Sequence, residues 1–164
     1  MSLRNVQAMV PRLRRFIDAA RDRRTPILWV RGAYDEVFLA ANQREMIQRR
    51  GYGRASCLSG TWGQEFYILQ PKEGEVVVTK HRADAFEGSN FDGILKSKGI
   101  HTLLMTGVTT ECCVESAARH GFFLGYHVVL VEDCCATYDP ALHEGTKRII
   151  DEYFGVVAGA EEVQ

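Results

Sequence analysis

TLLMTGVTTECCVESAARHGFFLG, residues 102–125, is the stretch on which the fold turns. Its first five residues are apolar and closed by Gly107, the pattern of a buried parallel strand rather than one that alternates polar and apolar. Beyond Gly107-Val108, Thr109 and Thr110 are good N-cap types with an acid at Glu111, and Val114, Ala117, Ala118 and Phe122 recur at helical spacing until Gly125. Cys113 therefore opens a helix. A thiol there faces unpaired backbone N–H groups and the positive end of the helix dipole, which favour thiolate and can hold an oxyanion. A buried free cysteine acting as a small hydrophobe fits the same position about equally well.

Length and composition bound what this strand and helix belong to. At 164 residues with a net charge of −1, the chain suits one soluble domain with a sizeable core. Without a long run of like charge it has no electrostatic footprint for nucleic acid or anionic membrane, so a small-molecule substrate is expected. No stretch is long enough to span a bilayer, and Arg4 and Pro11 interrupt any leader-like run, which points to the cytoplasm. The five cysteines include two adjacent pairs, Cys112-Cys113 and Cys134-Cys135, without the CxxC spacing of a zinc site. Reduced thiols are expected.

Upstream, Val6, Met9, Val10, Leu13, Phe16 and Ile17 lie at three-and-four spacing with arginines largely between them, an amphipathic helix. Pro11 fits best in its first turn, placing the regular helix from about Val10. Residues 26–31 read as a strand, and the loop after it carries Tyr34 and Asp35. A weaker helix spans 37–50, and GYGRASCLSGTWG (51–63) reads as a loop whose Trp62 is a candidate pocket wall. Residues 76–79 form the next strand. Lys80 stands at its carboxyl end, where open α/β sheets place their ligand crevice, and a cation there would depress the thiol pKa of Cys113. A short helix from Phe91, a strand at 127–131 capped by Glu132-Asp133, a helix at 140–153 and a last strand at 154–158 complete the alternation. Such alternation implies a parallel sheet with right-handed crossovers and helices on both faces.

GVTTECCVESAARHGFFLGYHVVLVEDCCATYD (107–139), preceded by VVVTKHRADAFEGSNFDGIL (76–95), resembles the isochorismatase-like cysteine hydrolases over nearly the whole chain. The resemblance implies a three-layer α/β/α fold and a Cys, Lys and Asp triad that cleaves small amides, or vinyl ethers in some branches. It matches Cys113 to the nucleophile and Lys80 to the lysine. It also matches Val108-Thr109 to a non-proline cis peptide, and the N–H groups of Thr109 and Cys113 to the oxyanion hole. GTW at 60–62, KSKGI at 96–100 and RHGFFLGY at 119–126 look most like ureidoacrylate amidohydrolases and related ureido hydrolases. RGAYDEVF (31–38) has no histidine for the metal motif of nicotinamidases, so neither metal nor cofactor is expected. Phe86, Trp62 and Tyr34 are the expected substrate-pocket residues.

In the family order 3-2-1-4-5-6, the first strand carries the triad Asp, and this chain starts at the helix after it. The expectation is a single domain over 1–164, truncated at its N-terminus, with strands 26–31 and 102–106 deprived of a common neighbour. Three repairs are open: direct pairing of those strands, a segment of a second subunit in a homo-oligomer, or recruitment of the residues before Pro11. Asp35, Asp84 and Glu111 are the candidate replacement acids. A catalytically silent binding or oligomerisation module is the alternative function, an isochorismatase or nicotinamidase type hydrolase a further one, and a redox sensor built on the vicinal cysteines another.

Overall fold

The computed structural model describes residues 4–51 and 56–163. Helix α1 (Arg4–Asp22) precedes strand β1 (Leu28–Gly32), and helix α2 (Ala41–Arg49) precedes strand β2 (Val76–Lys80). Helix α3 (Phe91–Ser97) leads to strand β3 (Thr102–Val108), and a π turn at Thr110–Val114 opens helix α4 (Glu115–Phe123). Strand β4 (His127–Ala136), helix α5 (Pro140–Ile149), a second π turn at Ile150–Phe154 and strand β5 (Val156–Ala158) close the chain.

Every strand pair is parallel, as the buried apolar runs require. β1 pairs with β2 in one sheet, while β3, β4 and β5 pair in that order in another. Apolar side chains fill both faces. Phe16 of α1 packs on Val131 and Cys134 of β4, whereas Val114 and Ala118 pack with Val128, Leu130 and Ile150 on the opposite face. A third cluster joins Val78, Leu95, Leu103, Ala117 and Phe86, which links the β1–β2 ribbon to the larger sheet through α3 and α4.

Several boundaries differ from the sequence reading. Pro11 sits inside α1 rather than in its first turn, because Val6, Met9 and Val10 are buried by tertiary contacts that outweigh the lost hydrogen bond. Those residues are thus helical and do not substitute for a strand. Neither do β1 and β3 pair directly, so two of the three repairs are excluded among the described residues. β4 runs on past Glu132-Asp133, since both acids have partners beside the strand: Glu132 meets Lys147, and Asp133 accepts from the Ala160 N–H at 2.9 Å. The 51–63 loop is described only at 51 and 56–63.

Candidate active site

Lys80 ends β2 and Cys113 lies in the π turn that follows β3, so the carboxyl ends of two separate sheets bring them together. Lys80 is buried, at 5% exposure. Its ammonium donates to the Ala83 carbonyl, and its charge is one of the causes that favour the thiolate form of Cys113. Among the described residues no carboxylate forms an ion pair with it.

Cys113 is held well below the ordinary thiol range, at about 5. The hydrogen bond from the neighbouring Cys112 thiol is the largest cause, followed among the favourable contributions by the Lys80 charge, the Lys80 hydrogen bond and the Thr109 backbone N–H. Burial opposes all four. Cys112 moves the opposite way: its thiol is pushed up by the same hydrogen bond, by burial and by the Cys113 charge, so it remains a donor. The two thiols are thus pushed in opposite directions, Cys113 toward the thiolate and Cys112 toward the neutral thiol.

The Val108–Thr109 peptide is cis, and Thr109 precedes the turn with an extended backbone. The Thr109 carbonyl accepts from the N–H groups of Cys112 and Val114, both at 3.2 Å. The Thr109 N–H is among the groups that lower the Cys113 pKa. The turn is anchored from behind by Thr110, fully buried, whose Oγ1 lies 2.9 Å from His143 Nδ1 of α5. One turn on, Thr146 Oγ1 donates to Glu115 Oε2 at 2.5 Å, and Glu115 pairs with Arg119. Burial is the main cause that lowers the His143 pKa, which favours a neutral imidazole on Thr110. His143 and Thr146 were not read as site-related, although their i, i+3 spacing already put both on one face of α5.

Tyr34 reaches the site from the loop after β1. Its hydroxyl lies 3.1 Å from the Arg82 carbonyl and within hydrogen-bonding reach of Cys113. Burial, and then the charges of Cys113 and Cys57, raise its pKa and keep it protonated. Cys57, which the sequence reading passed over, belongs to the same cluster; its carbonyl accepts from the Tyr34 N–H at 3.1 Å.

The other two expected pocket residues stand elsewhere. Trp62 is 89% exposed, because hydrogen bonds from Ser59 to Asp35 and from Gln64 to Ser59 fix its loop with the ring outward. Phe86 is buried in the core against Phe91, His120 and Tyr126. Two of the three candidate acids are engaged away from Lys80: Asp35 accepts from Ser59, and Asp84 accepts from the Phe86 and Glu87 N–H groups and meets His120. Glu111 keeps one carboxylate oxygen, Oε2, buried without a hydrogen-bond partner. Among the described residues no three His, Cys, Asp or Glu side chains converge as metal ligands, and no helix is long and apolar enough to cross a membrane.

The chain as a whole is similar to known proteins. Residues 2–162 match the model of the isochorismatase domain. The ureidoacrylate amidohydrolase RutB of Methylorubrum extorquens is 31% identical over 166 positions, which cover 92% of this chain but 66% of that protein. The chain thus spans just under two thirds of that relative's length. Among solved structures, an isochorismatase-like hydrolase from Alkaliphilus metalliredigens aligns with a TM-score of 0.84 at 25% identity, covering 97% of this chain and 84% of that one. N-carbamoylsarcosine amidase from Thermoplasma acidophilum aligns with a TM-score of 0.83 at 25% identity, covering 99% and 88%.

Proposed function

The chain belongs to the isochorismatase family, and from that premise we propose that it is a cysteine-dependent amidohydrolase that cleaves a small amide or ureido compound through a thioester. The observation that carries this reading is Cys113 in the turn after β3, with the buried Lys80 and the Thr109 N–H among the groups that lower its pKa. The names of the relatives, an amidohydrolase of a ureido acid and an amidase of a carbamoyl amino acid, support the substrate class.

In this mechanism the Cys113 sulfur attacks the carbonyl carbon and the carbonyl oxygen becomes an oxyanion, held by the N–H groups of Thr109 and Cys113. The tetrahedral species collapses with cleavage of the C–N bond. The leaving nitrogen takes up a proton, for which the Lys80 ammonium is the charged donor beside the sulfur. Water then adds to the thioester, and its loss of a proton restores neutral acid, thiolate and ammonium. Tyr34, kept protonated, is placed to donate to the substrate rather than to act as a base. Free thiols at all five cysteines support a reducing compartment such as the cytoplasm. Self-association into a homo-oligomer is part of the same proposal, supported by the exposed rings of Phe123 and Tyr153 beside Phe154.

A second reading, a family member that keeps the site without turnover, is favoured by the lack of a carboxylate partner for Lys80 among the described residues. Release of ammonia from a panel of primary amides and ureido acids separates the two. The hydrolase reading expects turnover that is lost in Cys113→Ala. A panel without turnover, from a protein whose Cys113 still alkylates below pH 7, would leave the silent reading in its place.

A further inference from the structure

The buried Lys80 ammonium donates to the Ala83 carbonyl, so the turn that follows β2 sets where its charge stands. Asp84, the next residue, holds that turn together: Oδ1 accepts from the Phe86 N–H at 3.1 Å and Oδ2 from the Glu87 N–H at 3.2 Å. Oδ2 also meets Nδ1 of His120 on α4. A carboxylate only accepts, so Nδ1 carries the proton whether the imidazole is neutral or charged. Further along the turn, the Phe86 ring lies 5.1 Å from the His120 ring between centroids. One histidine thus meets the turn at two points.

We propose that His120 is a positioning residue for the site: through Asp84 it fixes the turn whose Ala83 carbonyl holds the Lys80 ammonium. α4 follows directly on the π turn that carries Cys113. The contact between His120 and Asp84 therefore closes a circuit that runs from the thiol along α4, across to the turn at 83–87 and back to the ammonium. Charge attraction falls as separation grows, so slack anywhere in that circuit weakens the hold of the Lys80 charge on the thiolate form of Cys113.

Apolar packing alone does not fix the turn. Phe86 shares a buried cluster with Ala117 of α4, but such contacts have no preferred direction, whereas a hydrogen bond to a charged group sets both distance and angle. Among the described residues no other side-chain hydrogen bond joins the turn to α4. The His120 side chain is 35% exposed, so truncating it opens no sealed cavity and tests the tie rather than the core. Asp84, one of the expected replacement acids, thereby has a different part, with its oxygens taken by the turn and by His120.

The role of His120 rests on the pairing of Lys80 with Cys113 in the proposed hydrolase, but its readout needs no turnover. Iodoacetamide alkylation of Cys113 is followed against pH in the full chain and in His120→Ala, His120→Asn, Lys80→Met and the double variant Lys80→Met/His120→Ala, each first shown folded by near-ultraviolet circular dichroism. His120→Ala should raise the midpoint by at least about half a unit, an about threefold loss of rate below it. His120→Asn, whose amide nitrogen stands close to where histidine carries Nδ1, should restore the wild-type midpoint. In the Lys80→Met background the loss of His120 should add nothing, because the charge it positions is gone. An unmoved midpoint in His120→Ala, an equal shift in both backgrounds, or no restoration by asparagine would overturn the proposal. Should His120→Ala not fold, Asp84→Ser, which keeps an oxygen for the turn N–H groups and drops the contact with His120, takes its place with the same outcomes. A midpoint unmoved in Lys80→Met would overturn the pairing and this role with it, whereas an amide panel without turnover bears on the hydrolase reading alone.

Discussion

Replacing Lys80 with methionine removes the charge beside Cys113 while keeping most of the side-chain volume. About 1.4 kcal/mol of differential interaction with the two protonation states corresponds to one pH unit. Lys80 supplies two of the contributions that lower the Cys113 pKa, so the substitution should raise it by at least about 1 unit, from about 5 toward the ordinary thiol range. The Ala83 carbonyl loses its donor as well, at about 1–3 kcal/mol of stability, so circular dichroism must first show the variant folded. Iodoacetamide alkylation across pH 4–10, with Cys113 resolved from Cys112 by tandem mass spectrometry, reads the midpoint directly. Only thiolate reacts, so the rate falls as pH drops through the folded-state pKa. A wild-type midpoint in the ordinary thiol range would refute the reasoning, and so would a midpoint that does not move in Lys80→Met.

Cys112→Ala should raise the Cys113 alkylation midpoint, because the neighbouring Cys112 thiol is the largest of the causes that lower the Cys113 pKa; an unchanged midpoint would show that it does not matter. Gly155→Ala would put a Cβ 2.2 Å from the Val128 carbonyl oxygen, a backbone atom that cannot step aside, so unfolding in urea should show a loss of about 1–3 kcal/mol. Glu75 accepts from Arg21, Trp29 and Lys72, and its carboxyl is lowered to about 2, chiefly by the Arg21 hydrogen bond. A depressed carboxylate contributes stability above its unfolded pKa that is lost as pH falls toward the folded value, so the acid limb between about 4.5 and 2 should flatten in Glu75→Gln. A limb of the same steepness in that variant would assign the acid loss to other carboxylates.

Cys113 and Lys80 were legible in the sequence because each sits at a change of pattern, an apolar run ending in a residue with chemistry. Trp62 was misplaced for the converse reason. A tryptophan in a glycine-rich loop suggests burial, but the Asp35–Ser59 hydrogen bonds that turn it outward connect residues 24 apart. The Glu132-Asp133 pair looked like a strand end because charge suggests solvent, yet partners on α5 and at Ala160 let the backbone continue. Periodicity located the helix after β3 but could not reveal its π turn, since hydrophobic spacing over five residues does not distinguish the two. Leu104 reads as core in any apolar run; its exposure depends on which edge of β3 is paired, a property of the sheet rather than of the segment.

Trapping the acyl-enzyme tests the central claim most directly. An amide or ureide that is turned over is mixed with the protein, quenched in acid within milliseconds and analysed by intact and peptide mass. The account predicts a transient adduct of the acyl mass on Cys113, absent in Cys113→Ala. Turnover with Cys113 unmodified throughout, or an adduct on another residue, would contradict it.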